Sequence, residues 1–384
     1  MAAVEGHCAD GFEAVRESFE ENFRRRGELG AAVSVMAGGR SVVDLWGGWA
    51  DVAETRPWER DTLVNVWSTT KGVTALCAHL LADRGLLDLD APVRDVWPEF
   101  AAAGKEKITV RQLLAHRAGL TGPRVTQTVA DLYDWDLTVS RLAESEPWWE
   151  PGTHSGYHAL SYGFLVGEVI RRVTGRTAGA YLAETVTGPL GIDFTIGLPE
   201  HEDGRAAELV SKPLDRNSEE ARILTQLDMI GLSSLGNPVV RAKDANTLAW
   251  RRAELPAING HGTARAVAAL YAVLAGDALA AGAPLLSRSA AERAREGQGE
   301  CVDLVLGAAF GGATEIALGC WLSGPHRAYG PNRRAFGHDG YGGSFGMADP
   351  EAGISIGYVL NRMGAHLAND PRKTALIDAV YACL

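Results

Sequence analysis

Val66-Trp67-Ser68-Thr69-Thr70-Lys71-Gly72-Val73 sets a serine and a lysine three residues apart at the head of an apolar run. On the first turn of a helix, residues i and i+3 project from one face and touch. A serine hydroxyl is a weak nucleophile until a base takes its proton. A lysine stripped of water is such a base, because burial disfavours the ammonium. Val73, Leu76, Leu80 and Leu81 recur at helical spacing downstream, and Gly85 stands where a C-terminal cap belongs. A serine at a helix start also has backbone N–H groups beside a developing oxyanion. Ser-x-x-Lys is short and arises by chance, but no other serine in this chain has a lysine at i+3.

The 384 residues suit one large domain or two intimate ones, and an apolar fraction of 46% supplies a sizeable core. A net charge of −11 argues against nucleic acid or an anionic membrane as partner. The five cysteines are odd in number and contain no C-x-x-C, which fits free thiols in a reducing compartment. The N-terminal residues lack the basic and apolar regions of a secretory signal, and no apolar run is long enough to span a bilayer. The expectation is a cytoplasmic protein.

Phe12, Val15, Phe19 and Phe23 share one face of an expected surface helix. Residues 31–36 and 41–48, joined at Gly38-Gly39, read as a hairpin. From Ser68 to about residue 300 the pattern is mostly helical, with expected helices at residues 108–116, 138–144, 162–174 and 262–275 and an exposed polar loop at 199–220. Strand character returns at 316–322, 336–340, 344–348 and 354–360, followed by a closing helix from Pro371 to Tyr381. The hairpin needs partners, and the C-terminal strands are the ones available. The expected fold is α+β: one antiparallel sheet built from both chain ends and flanked by helices, with a mainly helical insertion. The boundaries expected are 1–66 and 257–384 for the sheet domain and 67–256 for the insertion, with the active site at their interface.

Four segments in order resemble the serine β-lactamase and penicillin-binding-protein superfamily, with the β-lactamase/transpeptidase-like fold. The nearest branch is similar to the family VIII carboxylesterases, themselves similar to class C β-lactamases. Ser68-Thr69-Thr70-Lys71 matches the nucleophile motif, and Trp149 to Gly163 matches the segment that carries a catalytic tyrosine, here Tyr157. Asn259 to Arg265 resembles a loop before a late helix, and Gly337-His338-Asp339-Gly340-Tyr341-Gly342-Gly343 stands at the Lys-Thr-Gly strand. The resemblance implies that Ser68 attacks an ester carbonyl while Lys71 and Tyr157 share the proton work. It implies an oxyanion hole from the N–H groups of Ser68 and Tyr341. His338 is expected to hydrogen-bond Tyr157 or the substrate, and Asp339, Gly340 and Trp149 to contact substrate. Two departures matter. The tyrosine motif ends in Ala159 instead of asparagine, and the strand motif begins with His338 instead of lysine. Both remove groups that grip a β-lactam, which argues for ester turnover over antibiotic or D-alanyl peptide cleavage. An acyltransferase using the same acyl-enzyme, or a non-catalytic homologue, are the other readings.

Two other patterns in the chain compete for the chemistry. Gly342-Gly343-Ser344-Phe345-Gly346 spells G-x-S-x-G, but a strand continues through it where a nucleophile elbow needs a helix. His154 and His158 are spaced like a metal pair, but Gly152 and Gly156 argue against a helix and no carboxylate completes the set. Neither a metal nor a cofactor is expected; the expected partner is a small-molecule ester.

Overall fold

The apolar runs at the two ends of the chain pair with each other. A computed structural model describes residues 3–211, 219–277, 282–326, 328–367 and 369–384. Its main sheet contains β1 (Val4–Cys8), β2 (Gly30–Ala37) and β3 (Arg40–Gly48) from the N-terminal end. A second, small sheet holds β4 (Val64–Asn65), β5 (Phe194–Ile196) and β6 (Gly260–Gly262). The main sheet is completed by β7 (Trp321–Leu322), β8 (Phe336–Asp339), β9 (Phe345–Asp349) and β10 (Ile354–Leu360). Its order is β1-β3-β2-β10-β9-β8-β7, antiparallel throughout. The joint between the chain ends is β2 against β10, with Val35 opposite Ile356 and Val33 opposite Tyr358.

Every residue of β10 is buried, because helices cover both faces. The helices that matter here are α1 (Glu13–Arg25), α2 (Thr70–Asp83), α3 (Val110–Leu114), α4 (Ser161–Thr174), α5 (Ala264–Ala275) and α6 (Pro371–Tyr381). Helix α5 packs on β2, β9 and β10, while α1 and α6 pack on each other. Phe19 of α1 meets Tyr358 of β10 edge-on at 6.4 Å. The α+β architecture with a sheet drawn from both ends is therefore the one the sequence predicts.

Helix α2 is buried from Thr70 to Leu81, too thoroughly for an amphipathic stripe. Gly85 takes φ +70° beyond its end, and the Leu86 N–H reaches back to the Leu81 carbonyl at 2.9 Å, the expected glycine cap. Thr109 caps α3 through a reciprocal bond with Gln112, as its position suggests.

Three local expectations need correction. The strand expected over 316–322 shrinks to Trp321–Leu322, because Gly319 at φ +102° turns the chain so that Ile316 bridges Trp321. The loop expected over 199–220 is not all exposed. Glu200–Arg205 forms a 3-10 turn, and Ala206, Ala207 and Leu209 are buried where the backbone pairs with Leu63. Its residues 212–218 lie outside the described ones. The small sheet and β1 were not foreseen: strands of two and three residues show no period, and β1 is largely exposed. No helix among the described residues is long and apolar enough to cross a membrane.

Candidate active site

Ser68 sits in the turn between β4 and α2, not on the helix itself. Trp67, just before it, has φ +48°. A bulky residue in the left-handed region is strained by about 1–3 kcal/mol and persists only where its surroundings impose it. Those surroundings are visible. The Val66 N–H bonds the Gly260 carbonyl at 2.9 Å, and Trp67 bridges Asn259. The Trp67 ring is wedged edge-on against Trp250 and Tyr341, at 5.5 and 5.6 Å. The Thr70 hydroxyl donates to the Trp67 carbonyl and accepts the Gly260 N–H. This forced elbow turns Ser68 into a cavity of about 390 Å³. No acceptor among the described residues takes the Ser68 backbone N–H, so it is available to an oxyanion.

Lys71 is fully buried beneath Ser68. Its Nζ lies 3.1 Å from Ser68 Oγ, 2.7 Å from the Ala159 carbonyl and 3.2 Å from the Ala257 carbonyl. Burial alone pushes its pKa well below the ordinary lysine value, with no carboxylate to oppose it. A neutral amine has two N–H groups and one lone pair. Two carbonyls and a hydroxyl fit that set, with the lone pair facing the Ser68 O–H.

Tyr157 comes from the loop before α4. Asp303 fixes the loop by accepting the Tyr157 N–H at 3.1 Å, and Ser234 donates to the Tyr157 carbonyl. Its ring centroid is 4.8 Å from Lys71 Nζ. Ser68, Tyr157, Asp339, Gly340 and Tyr341 all line the cavity, so five of the sequence-predicted residues converge on one space. Most of the remaining wall is apolar, including Leu160, Leu235, Val240, Ile258, Leu306 and Met363.

Two predicted substrate contacts lie elsewhere. His338 is buried behind Tyr157, its ring 6.0 Å from the tyrosine ring, with Nδ1 donating to the Asp339 carbonyl at 2.8 Å. It is not part of the cavity wall. Trp149 is also absent from the wall. It packs on His158 and Gly156, and its indole N–H donates to the His154 carbonyl at 3.1 Å. A tryptophan next to a loop glycine packs more readily than it recognises a ligand.

The rival sites acquire structural roles. Ser344 is buried, and its hydroxyl donates to the Val66 carbonyl at 2.9 Å, bracing the Ser68 elbow from behind. His158 has both nitrogens engaged: Nδ1 donates to the Gly156 carbonyl at 2.6 Å and Nε2 accepts the Leu120 N–H at 3.0 Å. Burial pulls its pKa to about 4, so the ring is neutral, and with both nitrogens bonded it has no lone pair to offer a metal beside exposed His154. Sequence reasoning missed the carbonyls of Ala159 and Ala257, which no side-chain motif can announce. It also missed Ser344 as a brace, Asp303, and Tyr271, whose hydroxyl donates to the Thr69 carbonyl at 3.0 Å.

Comparison with known proteins identifies the family and the fold. The family model described as Beta-lactamase matches residues 15–380. The Esterase/beta-lactamase LipL of Mycobacterium tuberculosis is 35% identical over 362 residues, 92% of this chain and 81% of that protein. The crystal structure of a family VIII carboxylesterase superposes with a TM-score of 0.91 at 42% identity, covering 100% of both chains. A penicillin-binding protein homologue from Caulobacter crescentus gives 0.92 at 41% identity, again over 100% of both.

Two predictions arise from the site. A Cβ on Gly340 would lie 2.1 Å from Ser344 Oγ and 2.3 Å from the Val66 carbonyl. Gly340→Ala should therefore cost about 1–3 kcal/mol in urea unfolding and cut activity by displacing the elbow; an unchanged midpoint with unchanged activity would refute the close approach. Lys71 has a folded pKa below its unfolded one. Between those values the unfolded chain binds the extra proton, so this group makes stability rise with pH. Relative to wild type, Lys71→Met should lose that slope, and the stability difference between the two should shift steadily in favour of wild type from neutral to alkaline pH. Parallel profiles would mean that Lys71 is charged in the folded protein.

Proposed function

Since this chain belongs to the Beta-lactamase family, we propose that it is a serine hydrolase that cleaves carboxylic esters through an acyl-serine intermediate. The observation that carries the reading is the 3.1 Å contact between a desolvated lysine and a hydroxyl at the wall of a cavity. In this reading Lys71 takes the Ser68 proton as Oγ attacks the ester carbonyl. The oxyanion is held by the N–H groups of Ser68 and Tyr341. Tyr157, beside the Lys71 amine, gives its phenolic proton to the leaving alcohol; the phenolate then takes a proton from the water that attacks the acyl carbonyl, and Lys71 returns its proton to Ser68 Oγ as the acid is freed.

The wall supports an ester over a β-lactam. Most side chains around Ser68 are apolar, Ala159 offers no amide, and His338 is not part of the cavity wall. A substrate with an apolar acyl or alcohol portion gains from such a wall, and Arg241 is the cation that shares the lining with Ser68 among the described residues. The five free thiols support a reducing compartment, which we take to be the cytoplasm.

A fluorophosphonate probe should label wild type and fail on Ser68→Ala. Labelling that survives the substitution removes Ser68 from the reaction. With p-nitrophenyl esters, kcat/KM should rise from acetate to medium-length acyl chains and exceed that for a chromogenic cephalosporin; the reverse order would overturn the ester reading. Added amines that divert the acyl group would make transfer, not hydrolysis, the outcome. Tyr157→Phe should lower kcat by about 10²-fold or more if the phenol moves protons; wild-type turnover would exclude it.

A further inference from the structure

We propose that Arg372 and Lys373, adjacent on the first turn of α6, are positioning residues that together clamp the Asp339–Gly342 segment and so aim the Tyr341 N–H at the oxyanion. The inference rests on the ester-hydrolase reading of the same site.

The segment needs an external hold. It joins β8 to β9, and its backbone turns through Gly340 N–H to the Ser344 carbonyl at 2.7 Å and Gly343 N–H to the Gly340 carbonyl at 3.1 Å. Gly342 and Gly343 take φ +92° and +118°, conformations that glycine enters easily and leaves as easily. Tyr341 lies between this loose pair and the end of β8, and an N–H that is free to swing stabilises an oxyanion poorly.

The two cations grip the segment at both ends. Lys373 Nζ donates to Asp339 Oδ1 at 2.7 Å, a pair almost wholly buried. Arg372 Nη2 donates to the Gly342 carbonyl at 2.7 Å, which also accepts the Gly364 N–H at 2.8 Å. Successive helical residues point about 100° apart, so neighbours on one turn can reach two separated points. The turn that carries them is itself fixed. Asp370 caps α6, and Pro371 opens it. The Arg372 guanidinium is forked onto Asp370 at 3.0 and 2.8 Å, and reaches Glu28 at 3.1 Å and the Arg362 carbonyl at 2.9 Å. Buried ion pairs are a poor source of stability, since apolar residues of like volume often do as well. What this arrangement supplies is geometry, at the residues flanking Tyr341.

The test compares Arg372→Lys, which keeps a charge beside Glu28 and Asp370 but loses the fork and the second arm, with the paired change Lys373→Met and Asp339→Asn, which leaves no buried charge stranded. Active sites are titrated with the fluorophosphonate, so that misfolded protein drops out of kcat. The readouts are kcat, KM and the inhibition constant of an aryl boronic acid, whose tetrahedral Ser68 adduct places an oxygen in the oxyanion hole. Each variant should lose about 10- to 100-fold in kcat per titrated site, hold KM within about twofold, and bind the boronic acid more weakly by the same factor as the kcat loss. A kcat per site within about twofold of wild type, or a loss with unchanged boronic acid affinity, overturns the clamp. If wild type fails to label at Ser68, the underlying reading falls instead, so the two failures are distinct.

Discussion

A primary amine held away from solvent, with no counter-ion among the described residues, is the constraint on which the rest of the site depends. The chain contains a useful contrast. Lys105 is also buried, and its Nζ donates to three carbonyls, those of Ala102, Ala143 and Ser145, at 2.5, 2.8 and 2.7 Å. Three carbonyls demand three N–H groups, which only an ammonium has. Burial pulls the Lys105 pKa to about 8, and the group stays charged at neutral pH as a stitch between loops. Lys71 trades one carbonyl for the Ser68 hydroxyl. A hydroxyl can donate, so the neutral amine loses no partner. A hydroxyl as the third atom is compatible with an amine that has given up a proton, which a third carbonyl is not.

Supplying those three atoms takes most of the architecture. The hydroxyl comes from the elbow after β4, one carbonyl from the loop before α4, and the other from the segment before β6. The small sheet pairs β4 with β6, which ties the first source to the third. Helix α2 carries the lysine into this junction, and its burial on nearly every side is what removes water from the amine. On the far side, β8 and β9 approach so closely that Gly340 touches the Val66 carbonyl braced by Ser344. A sheet made from both chain ends is thus not a mere platform. Its C-terminal strands press on the elbow that an N-terminal strand precedes.

The sequence carried the long-period elements and the side-chain chemistry. The hairpin, the C-terminal strands from residue 336 onward and the closing helix are visible in apolar spacing, and Ser68, Lys71 and Tyr157 in motif. Lost to it were features set by backbone or by distant contact. The carbonyls of Ala159 and Ala257 have no residue signature. The left-handed Trp67 contradicts local preference, and tertiary contacts alone account for it. Ser344 looked like a rival nucleophile because the glycines around it spell an elbow; the glycines serve close approach instead. Trp149 and His338 were assigned to substrate by position in a motif, while packing placed both outside the wall.

The histidines near the site explain how the proton is kept where it is useful. His116 and His158 are both buried near Lys71, and a proton resting on either would repel one on the amine. Burial pushes the His116 pKa well below neutral and that of His158 to about 4. Hydrogen bonding enforces the same state by a second route. The His158 Nε2 must keep its lone pair to accept the Leu120 N–H, and the His116 Nδ1 must keep its own to accept the His158 N–H at 3.0 Å. Protonating either ring would set a hydrogen against a backbone donor. Burial likewise holds Tyr162, whose ring lies 5.9 Å from the Lys71 amine, in its neutral form. With these rings held neutral, no positive charge from His116 or His158 sits beside the Lys71 amine. The aromatic cluster behind the site therefore acts by refusing charge, which favours the base role proposed for Lys71.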